Sequence, residues 1–233
     1  MLYYSIFQQL FKFIPRYRFD KKTDETSGNR YCKHFSARRQ FLTCLYAQTT
    51  GKDSLREVAG GLMTNRSRLY HLGTIPVAKS TLADAMNRRS PEIFKALFEE
   101  ILDRTIACAP RHGFKQFHAG GFDHCRHLQR RWQIELFFKW IKQNLKIKSF
   151  LETSENAVRT QIWVALIHYL LVAYIKFITG VKLSLTEITN RIRAALMMNY
   201  DLMEILQWAG KTILKPPDWN RPQQMEFFGD FLC

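Results

Sequence analysis

The amino-acid sequence predicts a mainly α-helical protein. Apolar residues recur at intervals of three and four along most of the chain, and residues that cap helices precede several of these stretches. Hydrophobic residues make up 46% of the 233 positions, which is enough for a core in one or two domains. The longest apolar run, 162–175, has 14 residues, fewer than the roughly 20 that span a bilayer, so we expect a buried core helix and no membrane partner.

The first 110 residues predict a series of helices joined by turns. A short amphipathic helix is expected over residues 5–14, stopped by Pro15, with a basic loop over residues 16–30. Residues suited to begin four further helices are Ser36, Asp53 or Ser54, Lys79 and Pro91. The pair Gly60-Gly61 is interpreted as a helix end, because no strand precedes it as a phosphate loop would require.

The helix that opens at Lys79 carries side chains suited to DNA. We expect it to bury Leu82, Ala85 and Met86. Its exposed polar set is Lys79, Ser80, Asn87, Arg88 and Arg89. A helix-turn-helix places such side chains in the major groove, where Arg reads guanine and Asn reads adenine. The connection over 62–77 is longer than the usual turn of that motif, so a small helical bundle with a polar outer face is the alternative.

A basic and aromatic segment between residues 124 and 148 contains a single acid, Glu135. On a helix, one face collects Ile134, Phe137, Phe138, Ile141 and Leu145, and another collects Arg131, Glu135, Lys139, Lys142 and Lys146. A solvated helix face without any functional site commonly carries such a pattern, in which an acid such as Glu135 has cations four residues before and after it. The functional alternative is a lone carboxylate that holds a metal ion beside phosphates.

The spacing Arg131-x3-Glu135-x6-Lys142 resembles the Tyr-x2-Arg-x3-Glu-x6-Lys signature of bacterial DDE transposases of the insertion-sequence-four family, with Leu128 in place of the Tyr. Residues 40–58 resemble the N-terminal domain of part of that family. The resemblance implies that Glu135 is the last of three acids that hold two divalent ions, Mg²⁺ or Mn²⁺, for displacement at phosphorus. It also implies contacts of Arg131 and Lys142, with Lys139 beside them, to the phosphates of transposon ends.

Two of the three acids are not found where the resemblance requires them. From residue 109 the chain passes through Gly120-Gly121 into the Glu135 segment without a run of alternating β-branched and aromatic residues. An RNase-H-like sheet with its helices needs on the order of a hundred residues. Neither Asp103 nor Asp123 has the expected setting. We therefore expect an internal deletion that has removed most of the sheet.

The predicted organisation has three parts. Residues 1–110 form a helical, DNA-binding-like domain, residues 111–127 form a linker at the deletion, and residues 128–233 form the C-terminal helical remnant of the catalytic domain. This last part includes an amphipathic helix over 184–199. With the sheet deleted, its apolar surface is expected to form oligomers, to pack on the N-terminal helices, or to aggregate.

Three functions are compatible with these patterns. The first is a transposase-derived protein that binds DNA at transposon ends, is catalytically incomplete and need not bind the Mg²⁺ or Mn²⁺ of the intact family. The second is a DNA-binding remnant that inhibits transposition, alone as a homo-oligomer or mixed with intact subunits. The third is an unrelated basic protein of RNA or membrane surfaces. The net charge of +15 favours any polyanion, and the Glu135 segment favours the first two.

Cysteine and histidine patterns predict no disulfide framework and no metal centre. The five cysteines include no Cys-x-x-Cys pair, and the N-terminus lacks the features of a signal peptide, so we expect a cytoplasmic protein. A cluster of possible zinc ligands lies in the predicted linker: His112, His118, His124, Cys125 and His127. We interpret it as an exposed His-rich linker, because structural zinc sites usually combine separated ligand pairs.

Overall fold

The computed structural model describes residues 4–108 and 150–207, and the regular elements in these two ranges are helices, with no strand among them. The prediction of a mainly α-helical chain is confirmed. The helices are α1 (Ile6–Lys12), α2 (Arg16–Glu25), α3 (Ala37–Thr50), α4 (Leu55–Thr64), α5 (Arg66–Leu69) with the 3₁₀ turn Tyr70–Leu72, α6 (Lys79–Arg88), α7 (Glu92–Cys108), α8 (Glu155–Thr179), α9 (Leu185–Ala195) and α10 (Leu202–Gln207).

Serine side chains set the beginnings of five helices. A serine hydroxyl accepts a hydrogen bond from the backbone N–H three residues later at Ser5, Ser36, Ser54, Ser154 and Ser184. Each such cap stabilises a helix by about 1 kcal/mol. Gly51 and Gly180 end α3 and α8 with φ of 67° and 64°, a left-handed conformation that other residues adopt at a cost. The sequence predicted the cap at Ser36 correctly, and of the two predicted alternatives Asp53 and Ser54 the cap is Ser54.

The predicted loop over residues 16–30 is wrong, because its first ten residues form α2. Pro15 ends α1 but also precedes α2, where its fixed φ of −70° suits the start of a helix and its missing N–H is not needed. Phe19 and Thr23 are buried on the side that packs against α7. Two buried residues in a strongly polar helix give too weak a periodic pattern to be recognised from the sequence.

The pair Gly60-Gly61 also differs from its prediction, since both residues lie inside α4. A Cβ atom on Gly61 would lie 2.5 Å from the Tyr46 hydroxyl oxygen, whereas one on Gly60 would meet nothing within 4 Å. Gly61 therefore permits α4 to approach α3 closely. Its role is in packing and not in ending a helix.

One hydrophobic core includes residues from both described ranges. Its centre is α8, which packs against α3, α6, α7 and α9. The predicted core helix over 162–175 is the interior of α8, and the predicted helix over 184–199 is α9, which begins at its cap Ser184 and buries Ile188 and Ile192. The C-terminal helices thus pack on the N-terminal ones, which was one of the three outcomes expected.

Helix α8 is long and apolar enough to cross a membrane by length and composition alone. In this fold, 56% of its most apolar window is buried against other helices. More than half of this window is therefore part of the helical core. The predicted boundaries at residues 111–127 lie outside the described residues and stay a prediction.

Candidate nucleic-acid interface

Helix α6 carries the predicted DNA-reading side chains on the surface of the core. It begins at Lys79 as expected, and it buries Leu82, Ala85 and Met86. The helices packed around it are α3, α4 and α8. Lys79, Ser80, Asn87 and Arg88 are exposed. The residue before the helix, Ala78, has no side chain that can cap the first-turn N–H groups.

Arg89 is the exception, and the expectation that it is exposed is wrong. It is 8% exposed. Its Nε atom donates to the Gly28 carbonyl at 3.0 Å and one terminal nitrogen donates to Gln40 Oε1 at 2.9 Å. The other terminal nitrogen contacts the Phe35 carbonyl and, at 3.0 Å, Cys32 Sγ. These acceptors compensate the burial of the charge, so the guanidinium joins α6 to the segment before α3 and is not available to DNA.

Asn87 has a structural contact as well as an exposed position. Its backbone carbonyl accepts a hydrogen bond from Asn156 Nδ2 at 2.9 Å, and its Oδ1 accepts one from the Ser154 hydroxyl. These bonds attach the end of α6 to the start of α8. Asp84, which the expected polar set did not include, is exposed on the same helix and would repel phosphates near it. The side chains best placed for phosphate contacts are therefore Lys79 and Arg88, near the two ends of α6.

The connection before α6 does not have the form of a tight turn. It contains α5 and the 3₁₀ turn, and Arg39 Nε donates to the carbonyl of Gly73 at 3.4 Å within it. The connection therefore differs from the short turn of a helix-turn-helix, and the alternative of a small helical bundle with a polar outer face stays a prediction. A helix on such a face can contact phosphates without entering the major groove.

Ion pairs distinguish the exposed cations from one another. Acids pair with five of them: Arg18, Lys22, Lys95, Arg104 and Arg159. Among the pairs formed within residues 4–108 and 150–207, none involves Lys79 or Arg88. An exposed cation without an acidic partner keeps its full attraction for a phosphate, so these two side chains are stronger candidates than the paired ones.

The predicted catalytic segment lies elsewhere in the chain. Glu135, Arg131, Lys139 and Lys142 lie outside the described residues, as does the histidine cluster of the predicted linker. In the described part of the chain, no group of three His, Cys, Asp or Glu side chains could hold a metal ion. Asp103, one of the two aspartates considered as a metal ligand, lies exposed on α7.

Comparison with known proteins identifies relatives for two parts of the chain. Residues 122–171 match the transposase DDE domain, and residues 4–75 match a domain of unknown function, DUF4372. The chain is related to insertion-sequence transposases. The first match includes the whole predicted signature and the first two thirds of α8. The second includes α1 to α5, and α6 lies between the two.

Individual relatives agree with this result. A putative transposase, y4zB, of Sinorhizobium fredii is 40% identical over 105 residues, which are 42% of this chain and 27% of the relative. A probable transposase for insertion sequence element IS5377 of Geobacillus stearothermophilus is 37% identical over 32% of this chain and 21% of the relative. The aligned part is thus about a quarter of each relative's length. No solved structure shows significant similarity.

Proposed function

We propose that the chain is a DNA-binding derivative of an insertion-sequence transposase of the insertion-sequence-four type. One observation carries the proposal: the stretch similar to the transposase DDE domain contains Arg131, Glu135 and Lys142 at the signature spacing. DDE transposase domains generally use divalent metal ions. In the intact family such an ion would be Mg²⁺ or Mn²⁺, and the ligand that this chain offers is Glu135.

The charge distribution supports DNA at transposon ends as the partner. The net charge of +15 leaves the chain attracted to polyanions over long range. On α6, Lys79 and Arg88 are exposed and take no part in the ion pairs of the described helices. Arg131, Lys139 and Lys142 would add phosphate contacts beside Glu135. A protein of this kind would act in the cytoplasm, on chromosomal DNA.

Catalytic incompleteness is the second part of the proposal. Two-metal displacement at phosphorus requires several carboxylates around the ions. The sequence places no aspartate in a strand setting before Glu135, and the described Asp103 is on the outside of a helix. An internal deletion between the two matched stretches would account for both facts. Glu135 by itself would not hold two ions in a reactive geometry.

DNA binding is tested by fluorescence anisotropy of a labelled duplex that contains a transposon end, titrated at several salt concentrations. We expect the logarithm of affinity to fall linearly with the logarithm of salt, and Lys79→Ala and Arg88→Ala each to reduce the slope by about one. Lys95→Ala is the matched control, because Lys95 is partly exposed but its ammonium lies 3.7 Å from Glu92 Oε2. An affinity that does not change with salt concentration would contradict the proposal.

Catalysis is tested by incubating the same duplex with the protein and Mn²⁺ and measuring strand nicks on a denaturing gel. We expect no nicking by the unaltered chain. Nicking that disappears in Glu135→Ala would show a complete catalytic site and would overturn the deletion.

The alternative function is inhibition of transposition, which would follow from DNA binding at transposon ends without cleavage. A DNA-binding chain that lacks catalytic acids would occupy transposon ends or enter mixed oligomers with intact transposase. Addition of this chain to an intact relative should then lower its strand-transfer rate in proportion to the amount added. An unchanged rate at saturating amounts would exclude inhibition.

A further inference from the structure

We propose that a second surface, separate from α6, binds single-stranded nucleic acid by stacking bases on tyrosine rings. This tyrosine surface consists of Tyr4, Lys12, Arg68, Tyr70 and Tyr200. It combines exposed aromatic rings with cations from three parts of the chain. The inference does not depend on the proposed transposase function, because it rests on contacts of residues 4–12, 68–70 and 196–202.

Hydrogen bonds hold two of the three tyrosines on neighbouring segments. The Gln9 side-chain amide donates to the carbonyls of Tyr4 at 2.8 Å and Tyr200 at 2.6 Å. Gln9 Oε1 also accepts from the backbone N–H of Leu202 at 2.9 Å. Residue 4 and residue 200 are thus fixed beside each other although nearly the whole chain separates them in sequence.

The third tyrosine and its arginine lie on the adjoining element. Helix α1 packs against the 3₁₀ turn that begins at Tyr70. A terminal nitrogen of Arg68 donates to the Met197 carbonyl at 3.0 Å, and the Met198 carbonyl accepts from the N–H of Ile6 at 3.1 Å. The segment 197–200 therefore contacts both α1 and the residues just before the 3₁₀ turn.

The rings on this surface are open to solvent. Tyr70 is 82% exposed, Tyr4 54% and Tyr200 46%. A tyrosine ring is a large apolar group that folded proteins usually cover at least in part. Single-strand binding proteins present such rings to unpaired bases, and the stacking tolerates any base sequence.

The charges of the surface match a polyanion. The ammonium of Lys12 lies 4.0 Å from the centre of the Tyr4 ring, and the exposed Arg68 donates to the Met197 carbonyl on the segment that leads to Tyr200. The neighbouring carboxylate of Asp201 accepts hydrogen bonds from the backbone N–H groups of Met203 and Glu204, which partly satisfies its charge. Cations that border stacked rings bind the phosphates between successive bases.

The test is fluorescence anisotropy of the full chain with fluorescein-labelled oligothymidine of about 20 nucleotides, and with oligouridine of the same length, at one salt concentration. Loss of one stacked base lowers the affinity by a factor on the order of 5 to 100. Tyr70→Ala and Tyr200→Ala should each weaken binding of the oligomers by that factor. Tyr70→Phe keeps the aromatic ring and should bind them as tightly as the unaltered chain. Binding to both oligomers would indicate that the sugar is not read.

Tyr17→Ala is the matched control. Tyr17 is 78% exposed, but it lies on α2 with Asp20 and Asp24 one and two turns further along. The Tyr17→Ala variant should bind the oligomers with the same affinity as the unaltered chain. The proposal is overturned if the unaltered chain does not bind them, or if the Tyr70 and Tyr200 variants, with circular dichroism like that of the unaltered chain, bind no more weakly than Tyr17→Ala. Should Tyr200→Ala not fold, Tyr4→Ala takes its place, with the same expected loss.

Discussion

Helices α6 and α8 are neighbours in one core, but the fraction of buried residues is much smaller in α6 than in α8. Three of the ten residues of α6 are buried, on one face, whereas α8 buries twelve of its 25, including nearly all of residues 164–175. Helix α8 lies partly within the stretch similar to the transposase DDE domain, and α6 lies within neither matched stretch. Because α8 buries so much more of its surface, we expect the stability of the core to depend on α8, while the polar face of α6 is open for contacts that stability does not need.

The largest expected effect comes from removing apolar volume from α8. Ile167 is 0% exposed, so Ile167→Ala should lower the free energy of unfolding by about 2–5 kcal/mol through lost burial and a cavity. The measurement is urea denaturation followed by circular dichroism.

Ile162→Ala in the same helix is the control, because Ile162 is 38% exposed and the change in helix propensity is the same. It should change the free energy of unfolding by about 0.5 kcal/mol or less. Equal losses at the two positions would contradict the central place of α8.

The next effect is a pH dependence that originates in α8. His168 is 3% exposed, and burial, helped by the positive charge of Arg193, lowers its pKa from 6.5 to about 4. Between these values the unfolded chain binds a proton that the folded chain excludes, so stability is complete above pH 6.5 and falls as the pH decreases to 4. The loss is about 3 kcal/mol, since one pKa unit corresponds to about 1.4 kcal/mol.

Urea denaturation of the unaltered chain and of His168→Leu over pH 4–7 measures this loss. The variant should show a shallower decrease in stability over that range, while His34→Gln, at an exposed position, should keep the full decrease. Identical pH profiles for the unaltered chain and His168→Leu would refute the assignment.

The smallest of the three effects separates two adjacent arginines of α6. Arg89→Met should lower the free energy of unfolding by about 1–3 kcal/mol, because it leaves buried carbonyls such as that of Gly28 without their donor. Arg88→Met should leave the free energy of unfolding within about 0.5 kcal/mol of the unaltered value but weaken duplex binding. The comparison fails if Arg89→Met reduces DNA affinity without a loss of stability.

Local sequence patterns were sufficient for much of the fold. The helix over 37–50 follows its cap Ser36, and the core helix contains the apolar run 162–175, because caps and apolar spacing act over a few residues, whatever the rest of the chain does. The buried position of Arg89 also had a local signal that was overlooked. It follows Met86 by three residues and Leu82 by seven, which places it on the buried stripe of α6.

Residues close together in the chain were enough to predict the helical class, helix starts at four of the five capping serines (Ser5, Ser36, Ser54 and Ser184) and the relationship to transposases. Tertiary structure decided which cations face solvent and which are held by carbonyls, as Arg88 and Arg89 show. It also brought Tyr4 and Tyr200 together through Gln9. Such contacts depend on how helices from distant parts of the chain pack against one another, and a local sequence pattern does not encode that packing.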